Sequence, residues 1–143
     1  MSRAPPANAL RPWLRWLLRS AAWSLLLSGV LWWILHYASG PGEDGLPSPL
    51  EAWLMRWHGA AVVAGLYALG AISGTHVPRG WAMGRQRRTG GALLAGWGLL
   101  AASGWALSYL TSESWRPWVG TAHAVVGVAV FLVGVAHARR AWA

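Results

Sequence analysis

The 143-residue sequence contains no cysteine and few charged residues. Without cysteine, the chain cannot form disulfides, thiolate zinc sites, iron–sulfur clusters or the covalent haem attachment of a C-x-x-C-H motif. Twelve basic and four acidic residues are its only charges, a share far below the roughly 25% of a soluble domain. The chain is 55% hydrophobic, more than a small water-soluble domain could bury. We therefore predict a membrane protein.

Four long apolar runs, separated by short polar turns, make up most of the chain. Each has about the 20 residues that a helix needs to cross roughly 30 Å of hydrocarbon. Ser48 followed by Pro49 is typical of an N-cap and a first helical position, and Val77-Pro78 ends or kinks the second run. The pattern predicts an all-α integral membrane protein, a four-helix up-down-up-down bundle forming one transmembrane domain over residues 1–143. The predicted spans cover residues 16–37, 52–76, 90–110 and 117–138.

The basic residues are distributed unevenly between the turns. Ten of them lie before the first span, between the second and third, or after the fourth: Arg3, Arg11, Arg15, Arg19, Arg79, Arg85, Arg87, Arg88, Arg139 and Arg140. The opposite side holds Arg56, Arg116 and the four acids Glu43, Asp44, Glu51 and Glu113. Because cytoplasmic turns carry an excess of arginine, we expect both termini in the cytoplasm. The same clustering argues against nucleic acid as a partner.

Four of the five histidines form two pairs, one in the second predicted span and one in the fourth. His58 and His76 lie near the two ends of the second span, and His123 and His137 near the ends of the fourth. A histidine within a membrane span is costly and is by default a functional residue with a specific partner. Two helices that each carry two imidazoles, one near either end, suit two cofactors at two depths, each ligated from both helices across the bundle. We interpret the chain as a small membrane cytochrome with two b-type haems.

Helix geometry favours cross-pairing of these histidines. In a straight helix, residues 18 apart share a face about 27 Å apart along the axis, and residues 14 apart lie about 21 Å apart and about 40° out of phase. The predicted ligand pairs for haem iron are therefore His58 with His123 in the outer leaflet and His76 with His137 in the inner leaflet. The spacings differ by about 6 Å, which helix tilt or a kink at Pro78 would absorb.

Other residues are candidates for contacts with the haem groups. Gly127 and Gly134, close to the histidines of the fourth span, leave room for a macrocycle or simply allow close helix packing. Arginines near the span ends are candidate partners of the haem propionates, although each is more simply explained as a solvated interfacial charge: Arg56, Arg79, Arg116 and Arg140. His36, in the first span, could replace the outer histidine of the second span, bind a propionate or a quinone, or face lipid headgroups. The serines within the spans are most simply helix-packing residues.

Six short stretches resemble small bacterial four-helix dihaem b-type cytochromes. These belong to the cytochrome b-561-like class, which also includes the membrane cytochrome b subunits of formate dehydrogenases and nickel–iron hydrogenases. The resemblance covers roughly residues 20–140. The stretches are 57–61 (WHGAA), 74–81 (GTHVPRGW), 87–90 (RRTG), 103–109 (SGWALSY), 123–127 (HAVVG) and 135–137 (VAH).

The resemblance implies two haem b groups, ligated by His58, His76, His123 and His137, that pass electrons across a bacterial inner membrane. It also implies a membrane quinone and a periplasmic redox protein, such as a c-type cytochrome or a catalytic subunit, as partners. The chain would then be an electron-transfer subunit of an oxidoreductase complex rather than an enzyme by itself. Some relatives draw a ligand from the first helix, which is where His36 lies.

Two other classes of function fit the same composition. A haem-free membrane anchor or scaffold subunit would show no redox-sensitive absorption. A proton or metal-ion transporter would use the histidines as relays, but such relays usually include acids within the spans, and the predicted spans contain none.

Overall fold

The structure is a computed structural model that describes residues 10–39, 46–84, 86–109 and 111–140. Its regular secondary structure in these ranges is entirely helical, which confirms the prediction of an all-α chain. The helices are α1 (Pro12–Ser39), α2 (Pro49–Ser73), α3 (His76–Ala82), α4 (Arg87–Tyr109) and α5 (Arg116–Arg140). Some residues used in the sequence analysis lie outside the described ranges: Arg3, Glu43, Asp44, Arg85 and Leu110.

Three of the described helices, α1, α4 and α5, are long and apolar enough to cross a membrane. α2 and α3 pass the same test when they are taken together as one bent span. The chain therefore has three or four candidate spans in its described part, which is consistent with a multi-pass membrane protein.

The start of α2 is capped as the sequence predicts. The Ser48 hydroxyl accepts a hydrogen bond from the backbone N–H of Glu51, and the Glu51 carboxylate accepts one from the backbone N–H of Ser48, both at 3.2 Å. Pro49 lies in the first turn, where its missing N–H costs nothing. This reciprocal capping satisfies two of the N–H groups that the start of a helix leaves without helical partners.

The second predicted span is not one continuous helix. α2 ends before Gly74, and α3 begins at His76, with a bend of 45° between the two helices. A proline removes one helical hydrogen bond and its ring clashes with the carbonyl four residues earlier, here that of Gly74, but it is tolerated in the first turn of a new helix. The chain therefore starts a new helix two residues before Pro78. Because His76 lies beyond the bend, the separation of about 27 Å from His58 calculated for a straight helix does not apply.

The described helices form two compact units. In the first unit α1 packs against α2, and α3 follows α2. In the second unit α4 packs against α5. Each unit is built on an antiparallel helical hairpin, since residues later in the first helix contact residues earlier in the second.

The contacts between α4 and α5 repeat every seven residues. They join Thr89 to His137, Gly96 to Val130 and Ser103 to His123. At Gly96 the two helices approach so closely that an added Cβ would overlap the Val130 side chain. A seven-residue period is typical of helices that pack at a shallow left-handed angle.

The packing of α1 against α2 follows the same period. The buried α1 residues Leu14, Ala21 and Ser28 are seven apart, and Ser28 contacts His58. Because the two helices are antiparallel, each step of seven residues back along α1 from Ser28 corresponds to a step of seven forward along α2 from His58. Gly65 is therefore the position opposite Ala21, and Ile72 is the position opposite Leu14. Both units thus contain one serine–histidine contact in this register. In the second unit, a contact between Thr89 and His137 lies 14 residues along each helix from the serine–histidine contact. The equivalent positions in the first unit are Leu14 and Ile72.

Tryptophan side chains are exposed near the helix ends. In the described residues they include Trp16 and Trp53 near the starts of α1 and α2, and Trp118 near the start of α5. Trp105 and Trp81 are exposed near the ends of α4 and α3. Amphipathic indole rings collect at membrane–water interfaces, so this distribution agrees with helices that end at two such interfaces.

Candidate functional site: histidines held between helices

His58 lies between α2 and α1. Its Nδ1 is 2.9 Å from the hydroxyl oxygen of Ser28, which is only 2% exposed. The same hydroxyl lies 2.6 Å from the backbone carbonyl oxygen of Ser24. Gly29 stands beside the ring, and an added Cβ there would be 3.5 Å from Cε1 of His58, an ordinary van der Waals distance. The imidazole is half-buried and held from the neighbouring helix.

His123 has the same surroundings between α5 and α4. Its Nδ1 is 2.7 Å from the hydroxyl oxygen of Ser103, which also lies 2.7 Å from the carbonyl oxygen of Leu99. An added Cβ at Gly104 would be 3.5 Å from Cε1 of His123. The ring is half-buried, so the first and second units each contain one copy of this arrangement.

His137 repeats the arrangement at the other end of the same hairpin. Its Nδ1 is 2.8 Å from the Thr89 hydroxyl oxygen, which donates to the carbonyl oxygen of Gln86 at 3.2 Å. An added Cβ at Gly90 would be 3.8 Å from Cε1 of His137. α5 therefore presents two half-buried imidazoles to α4, and α4 meets each with a hydroxyl and a glycine.

The three contacts share a dipeptide that the sequence analysis did not recognise. In each case a serine or threonine bonds Nδ1, and the glycine that follows it lies against the ring: Ser28-Gly29, Thr89-Gly90 and Ser103-Gly104. The dipeptides in α4 are 14 residues apart, which equals the spacing of His123 and His137. This matched spacing was the signal in the sequence that could have identified them.

His76, the other predicted ligand, is the first residue of α3 and is half-buried. The position of α2 that corresponds in register to His137 is occupied by Ile72. The first unit therefore reaches its second histidine only past the break at Gly74 and Thr75, four residues further along the chain.

His36 is also held through Nδ1, but by a carboxylate. The atom lies 3.0 Å from Oε2 of Glu51, which is 2% exposed, and the ring stacks on Trp32 with centroids 4.6 Å apart. Since the other oxygen of Glu51 caps α2, one carboxylate joins the end of α1 to the start of α2. The His36 side chain is 45% exposed, more open than the half-buried His58.

The two predicted glycines have packing neighbours within the second unit. Added Cβ atoms at Gly127 and Gly134 would be 3.9 Å from Leu100 and 3.8 Å from Leu93. These distances favour the helix-packing role. Room for a macrocycle at the two glycines stays a prediction.

The four predicted arginines lie on different helices. Arg56, on α2, places its guanidinium 5.2 Å from the ring centre of Trp53, a cation–π contact. Arg79 lies on α3, and Arg116 and Arg140 are the first and last residues of α5. Propionate binding by these residues stays a prediction.

The predicted ligand pairs, His58 with His123 and His76 with His137, stay predictions. Across the described ranges, no three or more histidine, aspartate or glutamate side chains form a group that could hold a metal ion. The first unit orients the imidazole of His58 through Nδ1, and the second unit orients those of His123 and His137 in the same way.

Comparison with known proteins finds no family model, no curated protein and no solved structure that matches this chain. The resemblance to cytochromes of the b-561-like class therefore rests on the short stretches of sequence alone.

Proposed function

We propose that this chain is a dihaem b-type cytochrome that carries electrons across a bacterial inner membrane. The observation that supports it best is the repeated setting of His58, His123 and His137. All three imidazoles are half-buried between two apolar helices, and a side chain of the neighbouring helix holds each through Nδ1. Metal-ligating histidines usually donate from the nitrogen that does not bind the metal.

The donor set fits haem b. Neutral imidazole is a good ligand for haem iron, and ligation would offset the cost of keeping a polar ring among apolar helices. On α5 the two histidines are 14 residues apart, about 21 Å along the axis. That spacing suits two cofactors at different depths rather than one.

The proposed ligand pairs are those that the sequence predicts. His58 pairs with His123 as outer ligands, and His76 pairs with His137 as inner ligands. This requires α1, α2 with α3, α4 and α5 to form an up-down-up-down bundle, with both termini in the cytoplasm as the arginine distribution indicates.

The chain would supply ligation, burial and orientation, and haem would supply the one-electron chemistry. We propose that the chain acts as an electron-transfer subunit of an oxidoreductase complex rather than as an enzyme by itself. We infer that it exchanges electrons with a membrane quinone and with a periplasmic redox protein, such as a c-type cytochrome or the catalytic subunit of a larger complex.

Electron transfer across a sealed membrane tests this function. Vesicles that contain the purified protein and trapped ferricyanide would be treated from outside with dithionite, which does not cross the bilayer. We expect reduction of the trapped ferricyanide, and much slower reduction with protein-free vesicles or with His137→Ala. A haem-free preparation would instead support the anchor, and uptake of protons or metal ions without haem would support the relay transporter. Either result would reject the proposal.

A further inference from the structure

We propose that Ser28, Ser103 and Thr89 are positioning residues, which fix the tautomer and basicity of three of the proposed haem ligands. Each hydroxyl would accept the Nδ1 proton of its histidine, so that Nε2 carries the lone pair that binds iron. The inference rests on the proposed function. It goes further because it assigns a role to hydroxyl residues that would otherwise be interpreted as helix-packing residues.

The count of protons around each serine gives the direction of the hydrogen bond. A hydroxyl has one proton to donate, and a backbone carbonyl can only accept. The Ser28 hydroxyl is 2.6 Å from the carbonyl oxygen of Ser24, and the Ser103 hydroxyl is 2.7 Å from that of Leu99. With its proton given to the carbonyl of the preceding turn, each serine oxygen can only accept, and Nδ1 of the histidine must be the donor.

The same argument applies to Thr89 at the start of α4. Its hydroxyl donates to the carbonyl oxygen of Gln86 at 3.2 Å, and the backbone N–H of Gly90 bonds that same carbonyl at 2.9 Å. Gln86 has a left-handed backbone, with φ of 52°. With its proton on that carbonyl, Thr89 would accept from Nδ1 of His137, 2.8 Å away, at the first turn of the helix.

The consequence for ligation is specific. A histidine that donates from Nδ1 is a more basic ligand through Nε2, and its ring orientation is fixed. The neighbouring glycine leaves room beside the ring, since a Cβ added there would lie 3.5–3.8 Å from Cε1 in all three cases. His36 differs, because its Nδ1 faces the carboxylate of Glu51, which would make it a still stronger donor ligand.

The test removes each acceptor without changing the histidine. Ser28→Ala, Ser103→Ala and Thr89→Val each leave the Nδ1 proton without its acceptor. Because a less basic ligand stabilises ferric iron less, we expect the midpoint potential of one haem to rise and the electron paramagnetic resonance g-values of its ferric form to shift. The two serine variants should affect the same haem, and Thr89→Val the other.

Two matched controls separate this effect from the loss of a helix hydroxyl. Ser108 on α4 and Ser20 on α1 also donate to a carbonyl of the preceding turn, at 3.2 and 3.1 Å, and neither forms a hydrogen bond with a described histidine. Ser108→Ala and Ser20→Ala should leave both potentials unchanged. Ser103→Thr and Thr89→Ser keep the hydroxyl and should retain the wild-type potentials even if the other variants bind haem poorly.

The failure of this inference is distinguishable from failure of the proposed function. If the wild-type chain binds no haem, the proposed function is wrong. If it binds two haems, and the potentials and g-values of the three variants equal those of the two controls, the assignment of positioning residues is wrong while the proposed function stands.

Discussion

Ser103 and His123 meet side chain to side chain between α4 and α5, with 2.7 Å between the hydroxyl oxygen and Nδ1. Fourteen residues away on each helix, Thr89 and His137 make the equivalent contact. Gly96 and Val130 lie midway between them. The second unit is therefore a hairpin whose polar contacts and closest approach follow one seven-residue register.

Gly96 allows the close approach of α4 to α5. Gly96→Ala places a methyl group against Val130, whose branched side chain rotates only with difficulty, so we expect a loss of about 1–3 kcal/mol of stability. Gly98→Ala is the control, because an added Cβ there meets nothing within 4 Å. Unfolding midpoints in detergent measure both variants, and equal midpoints would contradict the packing at Gly96.

His58 rather than His36 should be the outer ligand of the first unit. His58 is half-buried and held by Ser28, whereas the His36 side chain is 45% exposed and held by Glu51. We expect His58→Ala to lose one haem and His36→Ala to keep both, as measured by haem content per chain. The reverse result would move the outer ligand to α1.

The two histidines of each proposed pair should act on one haem. His58→Ala and His123→Ala should remove the same component from a potentiometric titration, and His76→Ala and His137→Ala should remove the other. If His58→Ala removes the component lost in His137→Ala, the proposed pairing is wrong, although a dihaem protein would remain.

Glu51 connects α1 to α2 and caps α2. Glu51→Gln removes the charge that faces His36, so we expect a lower unfolding midpoint with unchanged haem content. Glu113→Gln provides a control on an exposed acid of the turn before α5. A midpoint for Glu51→Gln equal to that of Glu113→Gln would show that the contact with His36 contributes nothing measurable.

The absence of cysteine makes the orientation directly testable. Met83 is exposed in the turn after α3, and Ser114 is exposed in the turn before α5. In intact cells, a membrane-impermeant thiol reagent should label Ser114→Cys from the periplasm and should not label Met83→Cys until the inner membrane is opened. The opposite labelling pattern would place the termini outside the cytoplasm.

The sequence predicts the helices of this chain well, because their apolar runs are long and their caps are explicit. Ser48 and Pro49 mark the start of α2 as predicted. From the sequence, the interruption is predicted at Val77-Pro78. The structure places it at Gly74 and Thr75, because proline disturbs the turn that precedes it.

The candidate site is harder to predict from the sequence. Histidines are conspicuous in apolar runs, but their partners are on other helices, and a serine looks the same whether it packs or orients a ring. The register between helices decides this, and it depends on close approach at residues such as Gly96. Thr89 and Ser103 have the same spacing in the sequence as His123 and His137. This equal spacing is consistent with the two contacts, but by itself it does not show which side chains meet.

Haem content per chain tests the central claim most directly. Pyridine haemochrome quantitation of the purified wild-type protein, with a reduced-minus-oxidised spectrum, should give two haem b per chain and one fewer in His123→Ala or in His137→Ala. A folded, membrane-inserted wild-type protein without haem, or variants that keep both haems, would contradict the account.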